Sequence, residues 1–226
     1  MFAVIFEVTP KPGRREHYLR EASLLRPELE KIDGFLVNER YDSLRRAGWM
    51  LSLSLWRNEK ALIRWRTLAL HHLAQEKGRF EIFADYHLRV GEIVADTILP
   101  ASERLQEERF DETETGGAKY AVLSETPFEG MADTVAPGDI AARLGAPLKD
   151  DDAGPVAWDA FRHLLRPAEF LLLTSWWTKS DAESWLGPSA ARGTRHRTVR
   201  IIRDYGMFDR REAPQYYPAV AKEATG

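Results

Sequence analysis

The chain has 226 residues, room for one large domain or two small ones. Hydrophobic residues make up 44% and charged residues 30%, with a mean hydropathy of -0.41, which excludes a membrane protein and a compositionally disordered chain. Lys+Arg 32 against Asp+Glu 35 leaves a net charge of -3 and no global field for nucleic acid or an acidic membrane, and Cys 0 excludes disulfides, thiolate metal sites and a cysteine nucleophile.

Met1 to Val8 is too short for a signal-peptide core and carries Glu7, and no run approaches the roughly 20 apolar residues of a membrane span, so the cytoplasm is the expected compartment. In chain order, Phe2 to Val8 is apolar on nearly every residue, as a strand covered on both faces requires. Arg14 to Lys31 carries Tyr18, Leu19, Ala22, Leu25 and Leu29 as a helical stripe, with Pro27 expected to kink or split it and Gly34 to end it. Phe35 to Leu44 and Met50 to Arg57 read as a hairpin around Arg45 to Gly48. Asn58 caps a helix expected over Glu59 to Lys77, closed by Gly78, and Phe83 to Val94 is the last strand of this half.

The second half repeats this order. MLSLSLWRNEKALIRW (Met50 to Trp65) aligns with FLLLTSWWTKSDAESW (Phe170 to Trp185) at a constant offset, so Trp56 maps to Trp176 and Trp65 to Trp185; Tyr41 maps to Phe161 and Leu44 to Leu164. AVIFEV (Ala3 to Val8) matches AVLSET (Ala121 to Thr126). Residues 101–118, with SERLQEERFDETETGGA from Ser102, have the composition of a solvated linker. The expected organisation is residues 1–100, linker 101–118, a reduced second unit 119–208, and a tail 209–226 that either covers a pocket or interface or stays disordered.

Each unit reads β-α-β-β-α-β, the ferredoxin-like plait, whose sheet has helices on one face only. The expected fold is α+β: two such units packed sheet to sheet as a pseudo-dimeric barrel. Helices in the second unit are shorter and interrupted, by Pro137, Gly138, Gly145 and Pro147 and by Gly187-Pro188, which places the better-formed pocket in the first unit.

The run LSLSLWRNEKALIRW, with ELEKIDGFLVNERY upstream, resembles the antibiotic biosynthesis monooxygenase family, and SWWTKSDAESW with VRIIRDYGMF resembles it more loosely. That resemblance implies a covalently fused version of a dimeric α+β barrel. It also implies oxidation of a small aromatic or hydrophobic molecule by O₂ without a tightly bound cofactor, the substrate itself donating electrons. Haem-degrading relatives pair a tryptophan like Trp65 with a first-strand asparagine and a histidine farther down the helix, whereas here Glu7 or its neighbour and Gln75 stand near those places. Haem is therefore the lesser alternative, and a non-enzymatic binding or structural module is the competing class.

The candidate catalytic residues are Trp65, His72 and His71. His72 stands seven residues after Trp65, two helical turns, which puts both on one face of an unbroken helix. Trp65 as a core anchor, with both histidines on a solvated face, is the alternative. Candidate substrate contacts are Glu7, Asn38, Tyr41, Trp56, His87 and Arg89. His87 and Arg89 share one strand face and Tyr86, Leu88 and Val90 the other; Asn38 and Tyr41 fall on opposite faces of their strand, and a carboxylate such as Glu7 on an apolar strand requires a partner.

No metal site is expected. Asp150 to Asp152 lack calcium-loop spacing, the arginines at 192, 195, 197, 200 and 203 suit a solvated face better than nucleic acid, and no Gly-rich phosphate loop is present. The expected partner is a small molecule, with a homodimer of the whole chain also possible by symmetry.

Overall fold

The structure, a computed structural model, describes residues 1–99, 104–127, 135–144, 154–189 and 194–222, with the side chains of 127 and 187–189 left aside. Asp150 to Asp152 and Arg192 lie outside the described residues. Eight antiparallel strands close into one barrel: β1 (Phe2–Pro10), β2 (Phe35–Ser43), β3 (Met50–Trp56), β4 (Phe83–Asp96), β5 (Tyr120–Pro127), β6 (Ala157–His163), β7 (Glu169–Trp176) and β8 (Arg195–Gly206). Around the barrel they run β1-β3-β2-β6-β7-β5-β8-β4. Each half contributes four strands in the same relative order, and the halves join where β2 pairs with β6 and β4 with β8.

Alternation along β1 explains the layers. Ala3 and Ile5 point into the barrel with Leu51, Leu53 and Leu55 of β3, where Ala121, Leu123, Phe161, Leu171, Leu173, Val199 and Ile201 of the second half meet them in one core. Phe2 and Val8 point outward, under the helices. The apolar character of β1 on both faces therefore reflects cover on both faces. Closure also removes the sheet edges that would otherwise template aggregation. At the β4–β8 seam the register shifts at Val90/Gly91, and a Cβ on Gly91 would collide with the Arg200 carbonyl oxygen.

Outside the first half lie α1 (Arg15–Glu30), α2 (Glu59–Thr67) and α3 (Ala69–Lys77), followed by a π-helical turn over Gly78–Ile82. α1 runs unbroken through Pro27, because Pro27 and Ser23, whose carbonyl loses its donor, are both exposed to water. Asn58 caps α2, its Oδ1 accepting from the Ala61 N–H at 2.9 Å. The single helix expected over Glu59 to Lys77 is instead two, since Leu68 adopts an extended ψ of 129° and resets the helical phase. α4 (Pro137–Arg143) and α5 (Lys179–Ser189) cover the second half.

Two stretches read as solvated are docked. Thr113, in the connection after β4, is 1% exposed and its N–H donates to the Ile201 carbonyl at 2.8 Å. The arginines of β8 are not a free basic face either: Arg195 and Arg197 pair with Asp96, and Arg200 with Glu92 and Glu107. Acids of β4 and of the connection after it neutralise these three arginines. No helix among the described residues is long and apolar enough to cross a membrane.

Candidate active site

Between the outer face of β1 to β4 and the roof of α1 to α3 lies a cavity of about 230 Å³. Small-molecule sites run to roughly 300–1,000 Å³, so this one suits a small ligand. Its floor is Val4 and Phe6 of β1, Asn38 and Arg40 of β2, Ser52 and Ser54 of β3, and Tyr86, Leu88 and Val90 of β4; Tyr18, Leu25, Leu29, Trp65 and His71 form the roof. The small side chains of β3 hold the space open. Gly78 shapes one end, since a Cβ there would sit 2.6 Å from the Phe83 ring. Gln215 and Tyr217 of the tail add a wall, so the tail covers the pocket.

Trp65 and His71 face each other across the α2–α3 break, their rings stacked with centroids 4.1 Å apart and planes 18° from parallel. His71 Nδ1 lies 3.0 Å from the Trp65 carbonyl oxygen. A carbonyl only accepts, so the tautomer that makes this bond holds its proton on Nδ1 and leaves Nε2 a lone pair. Burial disfavours the imidazolium and lowers the His71 pKa to about 4, against a smaller opposing effect of the Trp65 carbonyl. At neutral pH His71 is an uncharged proton acceptor on the cavity wall.

His72 is not its equivalent. The break at Leu68 turns His72 outward, where it is exposed and stacks on Tyr217 at 5.6 Å, with the Tyr217 hydroxyl 3.1 Å from its Nδ1. Two helical turns after Trp65 would have placed it in the cavity only on an unbroken helix. Gln75 joins this layer, its Oε1 accepting from Tyr217 at 3.2 Å.

Of the expected substrate contacts, Asn38 alone lines the cavity, its Nδ2 donating to Ser52 Oγ at 3.0 Å and to the Leu53 carbonyl at 3.2 Å. Trp56 is fully buried in the packing under α2, its Nε1 donating to Ser54 Oγ at 3.0 Å. Tyr41, 3% exposed, is inside the barrel, where burial raises its pKa. Glu7, His87 and Arg89 also belong to the inner face and form an ion network there: Glu7 pairs with Arg89 and Arg46, Arg46 with Asp159 at 2.7 Å, and His87 with Asp204 at 2.6 Å. Burial raises the Glu7 pKa, but Arg89, Arg46 and His87 outweigh it and hold the carboxyl below its ordinary range. Burial raises Asp159 despite Arg46. These groups pair across the two halves and leave the cavity to the opposite face.

Sequence reasoning missed Arg66, Arg79, Tyr86, Tyr205 and Arg210, all of which line the cavity. The Tyr86-Leu88-Val90 face was the available signal, since it alternates with the face of Glu7's partners. A haem iron would find one ring nitrogen here, His71 Nε2, already flanked by the Trp65 ring. Among the described residues no group of three or more His, Cys, Asp or Glu side chains is placed to hold a metal ion.

Fold and cavity together define an α+β barrel with a cavity under the helices of one half. Residues 1–77, from β1 through α3, match the family model described as antibiotic biosynthesis monooxygenase. The jasmonate monooxygenase ABM of Pyricularia oryzae is 45% identical over 225 residues, covering 98% of this chain and 100% of that one. The chain belongs to the antibiotic biosynthesis monooxygenase family. Among solved structures, an anthrone oxidase-like protein is 12% identical with a TM-score of 0.32, covering 95% of this chain and 96% of that one. A Lactobacillus acidophilus protein described as a monooxygenase is 9% identical with a TM-score of 0.39, covering 90% and 94%.

Proposed function

We propose that this protein oxidises a small apolar molecule of the jasmonate kind with O₂ in the first-half cavity, without a tightly bound cofactor. The stacked Trp65–His71 pair carries this assignment: it sets an uncharged imidazole nitrogen against an apolar chamber. The 45% identity to a jasmonate monooxygenase over nearly the whole chain supports the substrate class. The two halves are taken as copies of one fused unit, supported by their common strand order and by Trp56/Trp65 recurring as Trp176/Trp185.

His71 Nε2 takes a proton from a carbon beside a carbonyl, or from a phenolic oxygen. The resulting anion gives an electron to O₂, the substrate radical and superoxide combine, and the peroxide anion takes the proton back from His71 to give a hydroperoxide. Where the oxidised carbon carries a second hydrogen, loss of water leaves a carbonyl, with all the electrons supplied by the substrate. The cavity excludes bulk water from the anion and stacks its plane against Trp65.

The test is O₂ uptake by the metal-stripped protein with jasmonic acid and a panel of enolisable ketones and quinols, with isotopically labelled O₂ traced into product. We expect uptake that falls by about 100-fold or more in His71→Gln, the size of general-base assistance. No uptake with any of them, or full uptake in His71→Gln, overturns the assignment. A stoichiometric Soret change on adding haem, lost in His71→Gln, redirects it to haem chemistry.

A further inference from the structure

We infer that the cavity takes an apolar monocarboxylate and holds its carboxylate at the end where Arg66, Arg79, Arg210 and Tyr86 meet. Elsewhere buried arginines have acids: Arg89 has Glu7, Arg197 has Asp96 and Arg200 has Glu92. The arginines lining the cavity have none among the described residues. Its one lining carboxylate, Glu21, is held by Lys77 at 2.6 Å and His17 at 3.2 Å. Arg79 is 2% exposed, yet donates only to neutral oxygens: the Met207 carbonyl at 2.7 Å, the Pro218 carbonyl at 3.1 Å and the Tyr86 hydroxyl at 3.2 Å. A guanidinium cannot shed its proton, so a buried one without a counter-ion is costly until an anion arrives.

The geometry supplies the anion's donors. Arg210 donates to the same Tyr86 oxygen at 2.7 Å and to the Gln215 carbonyl at 2.8 Å. Two N–H groups thus fill the lone pairs of Tyr86, and its phenolic proton is left to donate outward. Arg66 adjoins this group: its carbonyl accepts from Gln215 at 3.4 Å, and both Arg66 and Arg210 act on the Tyr205 phenol. Arg66 Nε is buried with no hydrogen-bond partner. The rest of the lining is mainly apolar, which suits one anionic head on a hydrocarbon body rather than a phosphate or a dianion.

Resting on the assignment of this cavity as the substrate site, the inference is tested by binding alone. Dissociation constants of the full chain for jasmonic acid against its methyl ester, and for octanoic acid against methyl octanoate, are measured by calorimetry and tryptophan fluorescence. We expect each acid to bind about tenfold or more tighter than its ester, the size of a charge-assisted pair. In Arg66→Gln the acid-over-ester ratio falls several-fold, and in Tyr86→Phe it falls by less; circular dichroism checks folding. Equal binding of acid and ester, no binding of either, an undiminished preference in folded Arg66→Gln, or a preference lost instead in Arg40→Gln overturns it. Acid-selective binding without O₂ uptake breaks only the oxygenation proposal, and O₂ uptake without acid selectivity breaks only this one.

Discussion

The two halves of the barrel have the same strand order and opposite interiors beneath their helices. In the second half Val122, Phe170, Leu172, Trp176 and Trp185 pack with Ile140 and Ala141 of α4 and with Leu144 just after it into one cluster. In the first, packing splits into a cluster around Val8, Tyr18 and Phe83 and another around Phe2, Leu29 and Trp56, with the cavity between them. One cross-strand pair shows how. Phe6 faces Ser52 in the first half, whereas Ser124 faces Leu172 in the second. Leu172 is fully buried where Ser52 leaves space, and Ser124 turns to His196, whose Nδ1 lies 2.8 Å from its hydroxyl. The tryptophans follow: Trp185 is 5% exposed and tilted against Trp176 at 5.9 Å, while the half-buried Trp65 spends one face on His71. Among the described residues identical topology thus yields a packed half and a hollow one, because side-chain volume at a few outward positions decides whether the helices reach the sheet.

The largest effect should come from treating the tryptophans as equivalents. Trp185→Ala empties a closed core and should cost about 3–5 kcal/mol in urea unfolding. A loss below about 1 kcal/mol would mean that the second half is as loosely packed as the first.

Next is acid. The His71 pKa is depressed from 6.5 to about 4, so the unfolded chain binds the extra proton between those values. Stability should therefore fall as pH drops from about 6.5 to about 4, by roughly 3 kcal/mol from this residue, and hold level above that window. His71→Gln should flatten that segment of the pH profile, leaving the Glu7 contribution, which is lost at lower pH because that carboxyl is held below its ordinary range. An unchanged slope in the variant would show His71 to be solvated.

Trp65→Ala should cost less than its partner, about 1–2 kcal/mol, because it is only half-buried, while weakening ligand binding by about tenfold. Unfolding of this variant would make Trp65 a core anchor after all. The smallest stability effect belongs to Ser52→Leu, which installs the second half's residue: melting should shift by no more than about 1 kcal/mol either way while ligand binding is lost. Retained affinity in Ser52→Leu would place the ligand elsewhere than over β3.

Much of the fold was legible because its signals are local. Double-sided apolar strands, the Asn58 cap and the recurring tryptophans each depend on neighbours a few residues away. The site was only partly legible. Trp65, His71 and Asn38 stand out in the sequence and reach the cavity, but His72 depended on the helix continuing past Leu68, and the extended Leu68 comes with no Gly or Pro to announce it. His87 and Arg89 share a strand face by alternation and Glu7 needs a partner by its charge, yet which face meets the cavity depends on barrel closure. Arg66, Arg79 and Arg210 come from three separate segments, and nothing in their spacing relates them.

Periodicity and residue type by themselves determined the α+β class, the order of elements, and an inner and an outer face for every strand, since these follow from the backbone repeat and the burial of apolar area. Tertiary structure alone decided which acids neutralise which arginines, which face became hollow, and that the tail closes it. Those outcomes depend on distances between residues as far apart as Arg79 and Pro218, or Glu7 and Arg89, which only the closed barrel brings together.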